Sequence, residues 1–326
     1  MSNTTDIATL KKQMTAVTAR VTTLEGQVKT LDGRVTKLEG TTPPTTPPTT
    51  PPTTPPPPSG ASTRVTSVEA MLTALTDNNL GEIVLQNGSY KVDSANNQNA
   101  TSLWIAQQTA SRTRPVLVRP DTPGGVTFDG SGTSNGGITF AEGAHDQRWE
   151  GFQFANFRID QTGCITIGGW ADRAAPHHIT MRNIKIPASV KGTGNTAQGY
   201  ATDHAIYGSA SAGGAHDFLF EDIDIDCSGG LASGFHFYHG PNCFSWIMRR
   251  FRINKAQQAL ILWDSSMHDM VFEDGTIISS TWNAVTYHDP TSGNVLRRVT
   301  STGSGQTPLY APNGQSGLVV DSCSFA

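Results

Sequence analysis

The sequence has little charge and no concentrated charge of either sign. Charged residues are 15% of the chain and the net charge is -4. No Lys- or Arg-rich run appears, so the electrostatic footprint of a nucleic-acid binder is missing. No segment approaches the roughly 18 consecutive apolar residues of a membrane span. The opening residues, Met1 to Asp6, lack the basic and apolar character of a signal peptide. The rest nevertheless has the composition of an extracellular protein, and release of a particle by lysis would reconcile the two. Cysteine is scarce: Cys164, Cys227, Cys243 and Cys323 form no CxxC pair. That spacing argues against a zinc site and for free, buried thiols. Helical periodicity is also missing from the C-terminal half, which excludes alternating strand–helix architectures.

What is present there is a repeated strand. Segments 179–186, 218–225, 246–253, 270–277, 295–301 and 318–325 alternate apolar and polar residues. Anchored on Phe251, Gly275, Val299 and Cys323, they recur about 24 residues apart, a period of stacked repeats. With no helix between copies, the economical architecture is all-β, a right-handed parallel β-helix of three short strands per coil. Asn183, Asp222 and Asp274 share one repeat position and read as turn or ladder residues. Two intervals, of about 32 and about 39 residues, exceed the repeat and imply loops around Trp170 and Tyr200. Loops on one face of a repeat array are where binding surfaces usually sit.

Three parts are expected. Residues 1–40 carry an unbroken heptad seam from Ile7 to Leu38. Val at a with Leu at d favours a dimer. Arg20 to Glu25 and Arg34 to Glu39 each repeat an Arg-apolar-x-x-apolar-Glu pattern of trimeric coiled coils, and two copies decide for a homotrimer through residues 7–39. Residues 41–60 are Thr/Pro repeats, a polyproline spacer of up to about 55 Å. Residues 61–326 form the β-helix domain, which begins with a capping helix with Thr66 and Glu69 as a capping box and Val68, Met71, Leu72 and Leu75 as its apolar face. The chain stops on its last repeat, where trimer partners or another chain are expected to cover the edge.

The run 71–92, the segment 126–130 and the coils that follow resemble the pectate-lyase-like β-helix superfamily. Coiled coil, spacer and β-helix together resemble bacteriophage minor tail proteins and tailspikes. The resemblance implies a trimeric virion protein, bound to other tail proteins at its N-terminus and facing a host polysaccharide; from the charge and apolar runs above, no membrane insertion and no nucleic-acid partner are expected. It supplies no catalytic residue.

A second strand series precedes each repeat. Tyr238, Trp263, Tyr287 and Tyr310 recur within it, and Tyr207 begins the column. His239, Asp264, His288 and Asp289 follow in near register. Alternation puts Tyr238 and Trp263 outside, so a glycan-stacking column is expected from Tyr207, Tyr238, His239, Trp263 and Tyr287, assisted by Tyr200 and Trp170. The alternative is an interior aromatic ladder. Asp264 and Asp289, one coil apart, are admissible as the two carboxylates of a glycoside hydrolase, with His288 beside them. Asp203 with His204 is a second candidate pair. A lyase on a uronic-acid polymer would show an acidic cluster at the groove; Asp222, Asp224 and Asp226 are near in sequence, though an exposed strand face explains them equally. No cofactor is expected, and calcium would be the ion if one were used. His177 and His178 read as coil-turn residues rather than metal ligands. A glycan-binding spike, a depolymerase (lyase or hydrolase) and a purely structural fibre segment are the three readings.

Overall fold

The computed structural model describes residues 58–93, 103–105, 111–132, 136–141, 143–168, 174–194, 202–208, 214–238, 242–263 and 267–326. The heptad seam over 7–39 and nearly all of the Thr/Pro segment lie outside the described residues, as do Trp170, Tyr200, His239 and Asp264.

The described residues are all-β apart from one α-helix and one short 3-10 turn. Strands pair in parallel, each with the equivalent strand of the next coil. The main path of the larger sheet runs through Ala61–Val65, Leu80–Leu85, Val116–Pro120, His145–Glu150, His177–Ile186, His216–Asp226, Phe244–Asn254, Val271–Glu273, Val295–Arg297 and Val319–Asp321. The second sheet stacks Leu103–Ile105, Ile138–Phe140, Gly163–Ile167, His204–Gly208, Ser233–Tyr238, Gln258–Trp263, Val285–Tyr287 and Leu309–Tyr310. Stacked coils facing each other across one apolar interior are a parallel β-helix, as the repeat predicts.

Inside each long strand the alternation slips once. Ile179, Met181, Ile184 and Ile186 all point inward, as do Trp246, Met248, Phe251 and Ile253. A residue in left-handed conformation absorbs the extra position: Asn183, Asp222, Arg250, Asp274, Arg298 and Ser322 have φ between 49° and 57°. Asn and Asp accept that conformation readily, but Arg does not. Arg250 offsets the strain with bonds to Asp222 at 2.7 Å and Glu221 at 2.6 Å, and Arg298 with bonds to Asp274 at 2.6 and 2.9 Å. Glu221 is the buried centre of this ladder, gripped by Arg182, Arg249 and Arg250. Burial alone would raise its carboxyl; hydrogen bonds from Arg250 and Arg249 outweigh that and hold it below the ordinary value.

Large and small residues alternate along the interior. A Cβ on Gly275 would sit 2.1 Å from the Phe251 ring, so the glycine is the space that the phenyl of the previous coil fills. Cys164, Cys227 and Cys243 are buried free thiols as expected, whereas Cys323 in the last coil is only half-buried.

The N-terminal helix is present, but it starts one residue later than the capping box predicts. Val68–Thr76 is capped by Ser67, whose side chain accepts from the Ala70 N–H at 3.2 Å. Its buried face is Val68, Met71, Ala74 and Leu75, with Leu72 only half-buried. At the other end Arg112, 3% exposed, donates to the carbonyls of Leu75 at 3.2 Å, Asp77 at 2.7 Å and Leu80. A buried guanidinium thereby satisfies carbonyls at and just beyond the helix C-terminus.

Candidate functional site

Five rungs of the second sheet contribute to a cleft of about 430 Å³. Register fixes its floor: His236 pairs with Ile261, Ile261 with Thr286, and Thr286 with Tyr310. These positions alternate with Phe235, Leu260 and Val285, which fill the interior, so the floor row points outward. Two residues further along the strands lie Tyr238 and its partner Trp263. The rings of Tyr238 and Trp263 meet edge-on at 6.2 Å, and His288 of the next coil stacks on Trp263 at 3.9 Å.

The opposite wall comes from turns rather than strands. Gln257, Trp282 and Gln306 stand on successive coils, joined by bonds from Trp282 N to Gln257 O at 2.9 Å and from Gln306 N to Trp282 O at 3.1 Å. Trp282 is 36% exposed and Tyr310 40%, both large rings open to solvent. Between the walls Thr286 donates to Gln258 at 2.7 Å, with Asn283 beside it. Deeper, Ser233, His204 and His236 form a chain: His204 Nδ1 meets Ser233 Oγ at 2.6 Å, and His204 Nε2 meets His236 Nδ1 at 2.9 Å. Burial, reinforced by His236, depresses the His204 pKa well below its ordinary value, so this imidazole is neutral. Neighbouring ring faces, open hydroxyls and amides are what a carbohydrate needs: stacking for its C–H faces and hydrogen bonds for its edges.

The expected column is therefore corrected. Tyr287 is fully buried, because Val285 and Tyr287 continue the interior ladder of Leu260 and Leu262 while Thr286 faces out. His288 takes the outward place beside Trp263. Tyr207 pairs with His236 and Tyr310 with Thr286, so both belong to the floor row and not to the row of Tyr238 and Trp263. Tyr207 is half-buried and stacks on His204 at 5.0 Å; it shares that residue's strand, but His204 lines the cleft and Tyr207 does not. Trp282, Gln257, Asn283 and Gln306 were not anticipated. They lie outside or at the margins of the alternating strands, and their only trace in the sequence is recurrence at about the repeat length.

The catalytic expectations fare differently. His288 lines the cleft and holds Asp289 through Nδ1 at 2.9 Å, but Asp289 itself is not among the lining residues. Asp203 is fully buried and accepts from the N–H of Gln161 at 3.0 Å and of Gly194 at 2.8 Å, so it ties loop bases together. Asp222 and Asp224 pair with Arg250 and Arg252 of the next coil, and Asp226 accepts from Asn254 at 3.1 Å. All three belong to the larger sheet. His177 lies in an outer column that stacks His145, His177, His216, Phe244 and His268 at 4.9 to 5.2 Å, a turn ladder.

No family model matches the chain, and no curated protein matches it. Among solved structures it is similar to a mutant of the PL6 family alginate lyase AlyGC, at 14% identity over 80% of this chain and 40% of that one, with a TM-score of 0.39. This chain therefore spans two fifths of that enzyme's length. It is similar to an alginate lyase from Paenibacillus at 12% identity, covering 79% of this chain and 99% of that one, with a TM-score of 0.33. It is also similar to the Streptococcus pneumoniae surface protein and adhesin PfbA, at 10% identity over 78% of this chain and 94% of that one, with a TM-score of 0.30. The chemistry of the cleft rests on this chain's own residues.

Proposed function

We propose that the protein is a glycan-binding spike or fibre component of the phage minor tail type, attached through its N-terminus and presenting the β-helix to a host envelope. One observation carries the binding function: the cleft of about 430 Å³, bordered by Trp263, Trp282 and Tyr310 and furnished with side-chain amides. The heptads over 7–39 and the Thr/Pro spacer support the particle role and a homotrimer. The experiment is retention of the full chain on host envelope polysaccharide in affinity electrophoresis, with Trp263→Ala and Trp282→Ala alongside. Retardation lost in both folded variants supports the assignment; retardation unchanged in both refutes it. Sedimentation of the full chain against a chain starting at residue 61 tests the trimer, and a monomer in both would remove it.

A depolymerase is the second reading, and the His288–Asp289 pair at the cleft edge favours it, since a carboxylate-oriented imidazole can move a proton. Shorter polysaccharide chains after incubation, abolished in Asp289→Asn, would support it.

A further inference from the structure

We propose that the cleft selects a neutral, hydroxyl-rich glycan over an acidic one; this rests on the glycan-binding function proposed above. Among the described residues that line it, none is Lys, Arg, Asp or Glu. A uronate polymer presents a full negative charge on every ring. Taking such a carboxylate out of water without a cation is costly, and sites that bind carboxylates answer with Arg or Lys. The cleft answers with amides instead: Gln257, Gln258, Asn283 and Gln306. Each amide offers both donors and an acceptor, which matches hydroxyls, themselves donors and acceptors; a carboxylate accepts only and would leave the amide oxygens opposed.

The arginines of these coils are elsewhere and already engaged. Arg182, Arg249 and Arg250 hold Glu221, Arg252 holds Asp224, and Arg298 holds Asp274, all on the larger sheet. The deep imidazole, His204, is locked between Ser233 and His236 and supplies no charge. Open aromatic faces at Trp282 and Tyr310 suit the apolar C–H face of an uncharged ring. The volume lies in the range of about 300–1,000 Å³ typical of small-ligand sites, enough for a short stretch of a chain.

The test is affinity electrophoresis and calorimetry of the full chain against neutral polymers (arabinan, galactan, mannan) and acidic ones (alginate, polygalacturonate), at low and at high salt. The expected result is retention by at least one neutral polymer, with affinity within about twofold across salt, since no ion pair is there to be screened. Trp282→Ala should weaken that binding about 30-fold, as for a central aromatic anchor, and Tyr310→Ala serves if the first variant fails to fold. Binding confined to the acidic polymers, falling steeply with salt and sensitive to the same substitutions, overturns the neutral assignment and leaves glycan binding standing. Retention by neither class overturns the glycan-binding function, and this inference with it.

Discussion

Tyr287 tests the inside-out register of the second sheet. It is fully buried, and its hydroxyl has no hydrogen-bond partner among the described residues. Burial, with Cys323 adding to it, pushes the phenol pKa further above its ordinary value, so the group is never ionised in working buffers. A buried hydroxyl left unsatisfied costs about 1–3 kcal/mol. Tyr287→Phe removes that cost and leaves a gap of one oxygen, whose lost contacts are worth less, on the order of a few tenths to 1 kcal/mol. The variant should therefore be more stable by about 1–2 kcal/mol, or roughly 2–8 °C in Tm for a domain of this size. Thermal melts at one fixed scan rate, repeated in urea, provide the assay. Glycan binding should not change, because the ring does not reach the cleft. A variant that melts lower would show that the hydroxyl has an interior partner, and one that loses binding would return Tyr287 to the exposed column.

Removing the buried hub should be costly: Glu221→Ala leaves three guanidinium groups facing one another and should lose about 3–5 kcal/mol in denaturant unfolding. The more exposed neighbour should cost less, with Asp222→Ala under about 1 kcal/mol beyond any loss of left-handed propensity. Gly275→Ala should destabilise by about 1–3 kcal/mol through the Phe251 ring, and Phe251→Leu in the same chain should recover part of the loss in a double-mutant cycle. The pH dependence follows from His204, whose folded pKa is depressed well below 6.5. In the window below 6.5 the unfolded chain binds a proton that the folded one refuses. Stability is thus complete above that pH and falls as pH drops, by at most about 1.4 kcal/mol per pH unit from this group. His204→Gln should flatten that limb of the profile, and an unchanged slope would place the proton uptake elsewhere.

The coils were legible because period and alternation both survive in single strands such as Ile179 to Ile186. The left-handed column was only partly legible. Asn183, Asp222 and Asp274 advertise it by type, but Arg250 and Arg298 adopt the same conformation, its strain offset by ion pairs with the coil before them. That compensation is a contact between coils, invisible in local propensity. In the cleft, Trp263 was legible from the alternation of Leu260 and Leu262. Tyr287 was misplaced because spacing in sequence counts residues, whereas register counts hydrogen-bonded rungs: Leu262 pairs with Tyr287, so His288 falls opposite Trp263. Trp282 lies in an irregular turn where no alternation says which way a side chain points, and only stacking of successive turns makes it a wall.

The central claim is that a glycan is held between Trp263 and Trp282. Intrinsic tryptophan fluorescence during titration with a retained polysaccharide tests it directly in a chain whose Trp104 and Trp170 are replaced by phenylalanine, because the remaining Trp149 and Trp246 are buried in the interior and should report nothing. A saturable change in the full chain, reduced in Trp263→Phe and in Trp282→Phe and absent when both are replaced, is the predicted result. A full-sized change that persists in the double variant would place the glycan elsewhere and contradict the account.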